Sequence, residues 1–161
     1  LVAQEHPDKK VFVLDCDEHG GNGTEDFIER LNNLRQITIN GSSFGCRNSD
    51  ESRCVTLDPV SVDFVPYLDA LDLSMRIIDD WKPDLVIYQA GADPHIDDPY
   101  GSLGMTTNQM RERDRYVFSA LQERGIPVMF VLAGGYQEPI EEKLVPLHVN
   151  TFEEAVRSFS E

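Results

Sequence analysis

The sequence predicts one α/β domain of three layers, with helices on both faces of a mostly parallel sheet, and three observations lead there. Short apolar runs alternate with amphipathic stretches of helical period along the whole chain. The run Asp84 to Ala90 (DLVIYQA) is apolar on both faces, as expected of a central strand covered by helices on each side. The length of 161 residues, 40% of them hydrophobic, suits a single core. No internal repeat, linker or low-complexity tract divides residues 1–161, so the chain reads as one domain.

The elements follow in order. Leu1 to His6 reads as the last turn of a helix that feeds, through Pro7 and Asp8, a first strand at Val11 to Leu14. Thr24 is placed to cap a helix with Glu25 and Asp26 in its first turn and Phe27, Ile28, Leu31 and Leu34 on one face. Gln36 to Ile39 is a strand; Asn40 to Glu51, rich in Gly, Ser and Asn, is a loop; Cys54 to Leu57 is a short extended piece. Asp63 to Trp81 forms a long helix burying Leu68, Leu71, Met75 and Ile78, with Pro66 tolerated in its first turn. After Asp84 to Ala90, Thr106 or Thr107 starts a helix that buries Met110, Val117, Phe118 and Leu121, and Gly125-Ile126-Pro127 closes it before the strand Val128 to Leu132. Thr151 to Glu154 has the spacing of a capping box ahead of a final helix carrying Ala155, Val156 and Phe159.

Composition narrows the function. Fourteen Lys and Arg against 29 Asp and Glu give a net charge of −15. Such a chain lacks the basic footprint that nucleic-acid binding requires, and it favours a cationic ligand. No apolar run approaches the ~20 residues of a membrane span. Cys16, Cys46 and Cys54 form no Cys-x-x-Cys, and an odd count at these spacings suits reduced thiols and a cytoplasmic location rather than a disulfide framework.

The chemistry gathers where strands end, since ligands of open α/β sheets sit beyond the carboxyl ends of the strands. The first strand runs into Asp15-Cys16-Asp17-Glu18-His19, whose alternate members would face one way if the extended conformation persisted. The central strand runs into Gly91-Ala92-Asp93, and the last into Gly134-Gly135-Tyr136. One imidazole and carboxylates at a common edge suit a catalytic divalent metal, zinc or iron, with positions left open. The plainer alternative has Asp15 and Asp17 capping a turn beside a solvated His19. A phenol after Gly-Gly at such an edge suits an oxyanion donor.

At these residues the sequence resembles the zinc-dependent histone deacetylase family, which includes acetylpolyamine amidohydrolases. The resemblance rests on DCDEHGGNGT (Asp15 to Thr24), KPDLVIYQAGAD (Lys82 to Asp93), DDPYGSLGMT (Asp97 to Thr106) and LAGGY (Leu132 to Tyr136). It implies an arginase/deacetylase-like fold and hydrolysis of N-acetyl amides such as acetyl-lysine or acetylpolyamine. It implies Asp17, His19 and Asp93 as zinc ligands and Tyr136 as the residue polarising the scissile carbonyl. It further implies Asp15 and Asn22 as partners orienting two tandem catalytic histidines, and a structural potassium ion near the carbonyls of Asp15, Asp17 and His19.

The pattern departs from the family twice. Gly20 stands where His or Gln is usual, and no His-His pair occurs among His6, His19, His95 and His148. The chain therefore reads as the C-terminal half of a deacetylase domain, expected to be nearly inactive alone and to associate with its missing half or with itself. Two rivals stand beside this reading. One is a non-catalytic metal-binding or interaction module on the same scaffold. The other is a haloacid-dehalogenase-type phosphatase using Asp15 as nucleophile and Asp17 as general acid, a reading weakened by His19 two positions on. His95 and His148 read as loop and packing residues.

Overall fold

The computed structural model describes residues 2–160. Its sheet has five parallel strands in the order β3-β2-β1-β4-β5: β1 Val11–Asp15, β2 Leu34–Asn40, β3 Ser52–Thr56, β4 Leu85–Gly91 and β5 Val128–Ala133. The helices are α1 Val2–Glu5, α2 Asn22–Ile28, α3 Val65–Trp81, α4 Thr107–Glu123 and α5 Val145–Phe159, the last entered through a π-helical turn at Ile140–Leu144. On one face of the sheet α3, α4 and α5 bury Tyr67, Leu71, Met75, Val117, Phe118 and Leu147 against Phe12, Leu14, Ile37, Val86 and Tyr88. On the other, α1 and α2 contribute Ala3 and Ile28 against Val11, Val13 and Leu34. This is the three-layer arrangement predicted from the alternating pattern.

The second face is only partly covered. Leu85, Ile87 and Gln89 of β4 are half-buried, and Met129 and Val131 of β5 are exposed. A strand apolar on both faces is therefore packed deeply on one alone, a correction to the reading of DLVIYQA.

Local capping explains where α4 begins. The Thr106 hydroxyl accepts from Gln109 N at 3.3 Å, and the Gln109 side chain returns to accept from Thr106 N at 2.8 Å, closing a reciprocal capping box. Thr106→Ala is expected to cost about 1 kcal/mol of stability by thermal or urea unfolding; a change indistinguishable from zero would show that the box contributes nothing.

Three other expectations are corrected. The α2 helix starts at Asn22 after Gly21 and ends at Ile28, so Thr24 lies inside it and Leu34 already opens β2. Thr151 is no cap: its hydroxyl donates to Asp114 Oδ2 at 2.6 Å from the middle of a continuous α5, a tertiary bond that the local spacing does not reveal. Cys46 and Cys54 are paired, the loop between them folding back to bring their Cα atoms to 6.0 Å, within disulfide reach. Cys16 alone is free, and it is buried. The cytoplasmic expectation, which rested on reduced thiols, loses that support. No helix among the described residues is long and apolar enough to cross a membrane.

Candidate metal centre

The β1 strand stops at Asp15, and the chain then turns rather than continuing extended. Asp17 N donates to Asp15 Oδ1 at 3.0 Å and His19 N to Asp17 Oδ1 at 2.9 Å. These two side-chain-to-backbone turns, of the kind Asp makes readily, bring Asp17 and His19 over the strand end. The alternation expected of a persisting strand is thus replaced by a different local device with a similar outcome for those two residues. His19 is tied further by a parallel bridge to Ser42 in the loop after β2.

Asp93 arrives from β4. The backbones touch closely here: a Cβ on Gly91 would lie 2.6 Å from Asp17 Cα, so only glycine fits. Ligand-type atoms of Asp17, His19 and Asp93 all fall within 4.8 Å of one another. His19 Nδ1 is 3.2 Å from Asp17 Oδ1 and 3.2 Å from Asp93 Oδ2. Toward Asp17 this is a hydrogen bond; toward Asp93 the approach lacks hydrogen-bond alignment. Asp93 Oδ2 is consequently buried with no donor, whereas Oδ1 accepts from Glu18 N at 3.0 Å. A buried carboxylate oxygen without a partner is costly, and a cation shared with Asp17 and His19 would satisfy it. The donor set, one imidazole and two carboxylates at a partly open position, suits a divalent ion.

Electrostatics agree. Burial, then the charge of Asp17, pushes Asp93 up to about 7. Burial, with Asp17 and Asp93 adding to it, pushes Asp15 up to about 7. Partial burial opposes protonation of His19, yet the Asp17 hydrogen bond and the charges of Asp93, Asp17 and Glu18 hold its pKa above the ordinary value. A positive charge beside carboxyls crowded in this way favours their ionised forms.

Tyr136 follows the turn Gly134-Gly135, whose φ angles are +53° and +108°. A Cβ on Gly134 would fall 2.4 Å from the Asp93 carboxylate. Gly134→Ala is therefore expected to strain a left-handed residue by roughly 1–2 kcal/mol and to displace Asp93, lowering both melting temperature and zinc affinity; unchanged zinc affinity would show that this turn does not support the centre. The Tyr136 side chain is half exposed, its ring edge-on to Tyr100 with centroids 5.1 Å apart. Its amide donates to Asp98 Oδ2 at 2.8 Å. Slight burial and the charges of Asp93, Asp17 and Asp98 raise its pKa, so the phenol keeps its proton at neutral pH.

The remaining sequence-derived residues contribute no ligand atom to the cluster. Asp15 is buried beneath it, with Oδ1 engaged by Asp17 N. Asn22 is exposed at the start of α2, its side chain against Gly45. His95 is a buried loop residue, with Nε2 3.0 Å from Thr107 Oγ1 and Nδ1 accepting from Asp97 N at 3.1 Å. Sequence reasoning missed Glu18, whose buried carboxylate accepts from Ser102 N at 2.8 Å and Leu103 N at 3.3 Å, anchoring the loop that carries Asp98 and Tyr100. Its partners lie more than eighty residues away, beyond any local signal.

Comparison with known proteins decides the family. The model of the histone deacetylase domain matches residues 47–152, well over half of the chain. The chain belongs to the histone deacetylase family. It is 31% identical over 140 residues to an uncharacterized protein of Picosynechococcus, covering 83% of this chain and 45% of that protein. It is 27% identical over 135 residues to Histone deacetylase 2 of Arabidopsis thaliana, covering 80% and 34%. The solved structure of acetylpolyamine aminohydrolase from Burkholderia pseudomallei matches with a TM-score of 0.77 at 19% identity, over 97% of this chain and 48% of that one, a likeness of fold. This deacetylase-family chain spans less than half the length of these curated relatives. Membership displaces the phosphatase reading. So does the burial of Asp15, which leaves the supposed nucleophile no open face.

Proposed function

We propose that this chain carries the metal centre and oxyanion donor of a deacetylase-type amidohydrolase acting on N-acetyl amides of cationic amines, acetyl-lysine or acetylpolyamine. The observation that supports it most is the convergence of Asp17, His19 and Asp93 around a buried carboxylate oxygen that has no donor. The ion of this reading is zinc, with iron the chemical alternative, and potassium is assigned to the carbonyls of Asp15, Asp17 and His19. When bound, the divalent ion supplies Lewis-acid polarisation of the acyl oxygen and acidifies the attacking water.

The chain's own residues hold the ion and stabilise the developing charge. Asp17, His19 and Asp93 fix the ion and thereby the acyl carbon. Tyr136, protonated at neutral pH, donates its O–H to the oxygen on which negative charge develops as water adds. The C–N bond then breaks, which requires a group that takes a proton from the attacking water and returns one to the departing amine. Neither Tyr136, committed to the oxyanion, nor the buried Asp15 fits that proton transfer. Asp15 and Asn22 are assigned to orienting two tandem histidines that this sequence does not contain. The net charge of −15 favours a cationic substrate. Hydrolysis of acetyl-lysine peptide and of acetylspermidine by the full-length natural protein tests the proposal in the presence of zinc. Turnover of either supports it, and turnover of neither contradicts it.

A second reading, a non-catalytic metal-binding or interaction module, is favoured by one observation, the missing His-His pair. Zinc binding with no hydrolysis in the full-length natural protein would favour it. In either reading the exposed Met129, Val131 and Leu132 of β5, beside a strand edge with no partner among the described residues, leave an apolar sheet margin. The 161-residue chain is accordingly expected to scatter light as a species larger than a monomer. A strictly monomeric, cooperatively unfolding protein would contradict that.

A further inference from the structure

Beyond the metal ligands, the ends of β1 and β4 are held by a side chain from a third element. The backbone ladder between these strands runs from Val11↔Leu85 to Asp15↔Gln89, and its last bond is Cys16 N to Gln89 O at 3.0 Å. Past that point the two segments run on into the loops that carry Asp17 and Asp93. Arg113 of α4, fully buried, reaches between them: Nη1 donates to Gly91 O at 2.8 Å and to Cys16 O at 3.2 Å. These carbonyls belong to the residue before Asp17 and the residue two before Asp93. Arg113 thus supplies the next rung of the ladder with a guanidinium where the backbone no longer can.

The guanidinium is itself fixed. Its Nε donates to Asp114 Oδ1 at 2.8 Å, and Asp114 in turn accepts from Tyr88 Oη and from Thr151 Oγ1. The fork is therefore referenced to the middle of β4, to α4 and to α5 at once. An apolar residue of similar volume could pack α4 against the sheet equally well, but it could not grip two carbonyls. Nη1 alone takes both carbonyls while Nε holds Asp114, so the rigid guanidinium plane fixes Nη1 through a second anchor that a lysine ammonium lacks.

We infer that Arg113 is the positioning residue of the metal centre, setting the separation of the β1 and β4 ends and so the distance between Asp17 and Asp93. The inference rests on the metal-centre reading given above. It predicts that Arg113→Gln lowers zinc affinity by at least about tenfold, the range for groups that orient metal ligands from behind, with Arg113→Lys falling between it and the parent chain. The matched control is Thr151→Val, which weakens the same network without touching either carbonyl.

Two readouts on the parent chain and these three variants test it: zinc affinity by competition with a chromophoric chelator, and amide hydrogen exchange of the metal-free protein at Glu18, whose N–H is held by Asp93. The expected result is weaker zinc binding and faster Glu18 exchange in Arg113→Gln, graded through Arg113→Lys, and little change in Thr151→Val at comparable melting temperature. Should Arg113→Gln fail to fold, Arg113→Lys against Thr151→Val carries the comparison. Equal zinc affinity and equal Glu18 exchange in the Arg113 variants and the control would overturn the role of Arg113. A parent chain that binds no zinc would overturn the metal centre instead, leaving the exchange comparison to judge whether Arg113 fixes the strand ends.

Discussion

Asp93→Ala is expected to weaken zinc binding by roughly 10²–10³-fold while the protein stays folded. Structural zinc sites with four ligands bind with about 10–16 kcal/mol, so one ligand accounts for ~2.5–4 kcal/mol, or roughly that factor in affinity. Folding should tolerate the change, because Asp93 in the metal-free protein is a buried carboxyl with one oxygen unbonded. Removing it takes away a liability along with the Glu18 amide contact. Isothermal titration with zinc, alongside a melting curve, reads both effects. His19→Ala should give a similar loss, since its imidazole is the only nitrogen donor of the cluster. Affinity within threefold of the parent in both variants would place zinc elsewhere.

The second large effect concerns turnover. The 161-residue chain by itself should hydrolyse acetyl-lysine or acetylpolyamine at a rate near background even when saturated with zinc, because its sequence has no His-His pair and neither Tyr136 nor Asp15 is placed to deliver a proton to the departing amine at neutral pH. In an active form that includes tandem histidines, Tyr136→Phe should lower kcat by roughly 10²–10³, the usual effect of removing one oxyanion donor, with KM little changed. Steady-state assays of both proteins check this. Full activity in the isolated chain would refute the need for an external base, and a silent Tyr136→Phe would refute the oxyanion role.

What the sequence made legible follows from where the signals are local. The β1 and β4 strands were readable because buried parallel strands are short apolar runs, and the start of α4 because Thr106 and Gln109 lie within one turn of each other. Asp17, His19 and Asp93 could be picked out because each stands just past the end of an apolar strand. The α2 start, the Thr151 contact and the Cys46–Cys54 pairing were not legible, since each is settled by packing between segments rather than by neighbours in sequence. The supports of the site are more remote still. Glu18 finds Ser102 across 84 residues, and Arg113 finds Cys16 across 97. A residue whose partners are backbone groups so distant carries no periodicity or motif of its own.

The central claim is that Asp17, His19 and Asp93 hold one divalent ion together. Crystals of the protein grown with zinc, with anomalous differences measured across the zinc edge, test it most directly. The account predicts a single strong peak about 2.0–2.2 Å from one oxygen each of Asp17 and Asp93 and about 2.0–2.1 Å from a nitrogen of His19, with the Tyr136 hydroxyl facing the open side. A peak bound elsewhere, or no peak at saturating zinc with these three side chains turned apart, would contradict it.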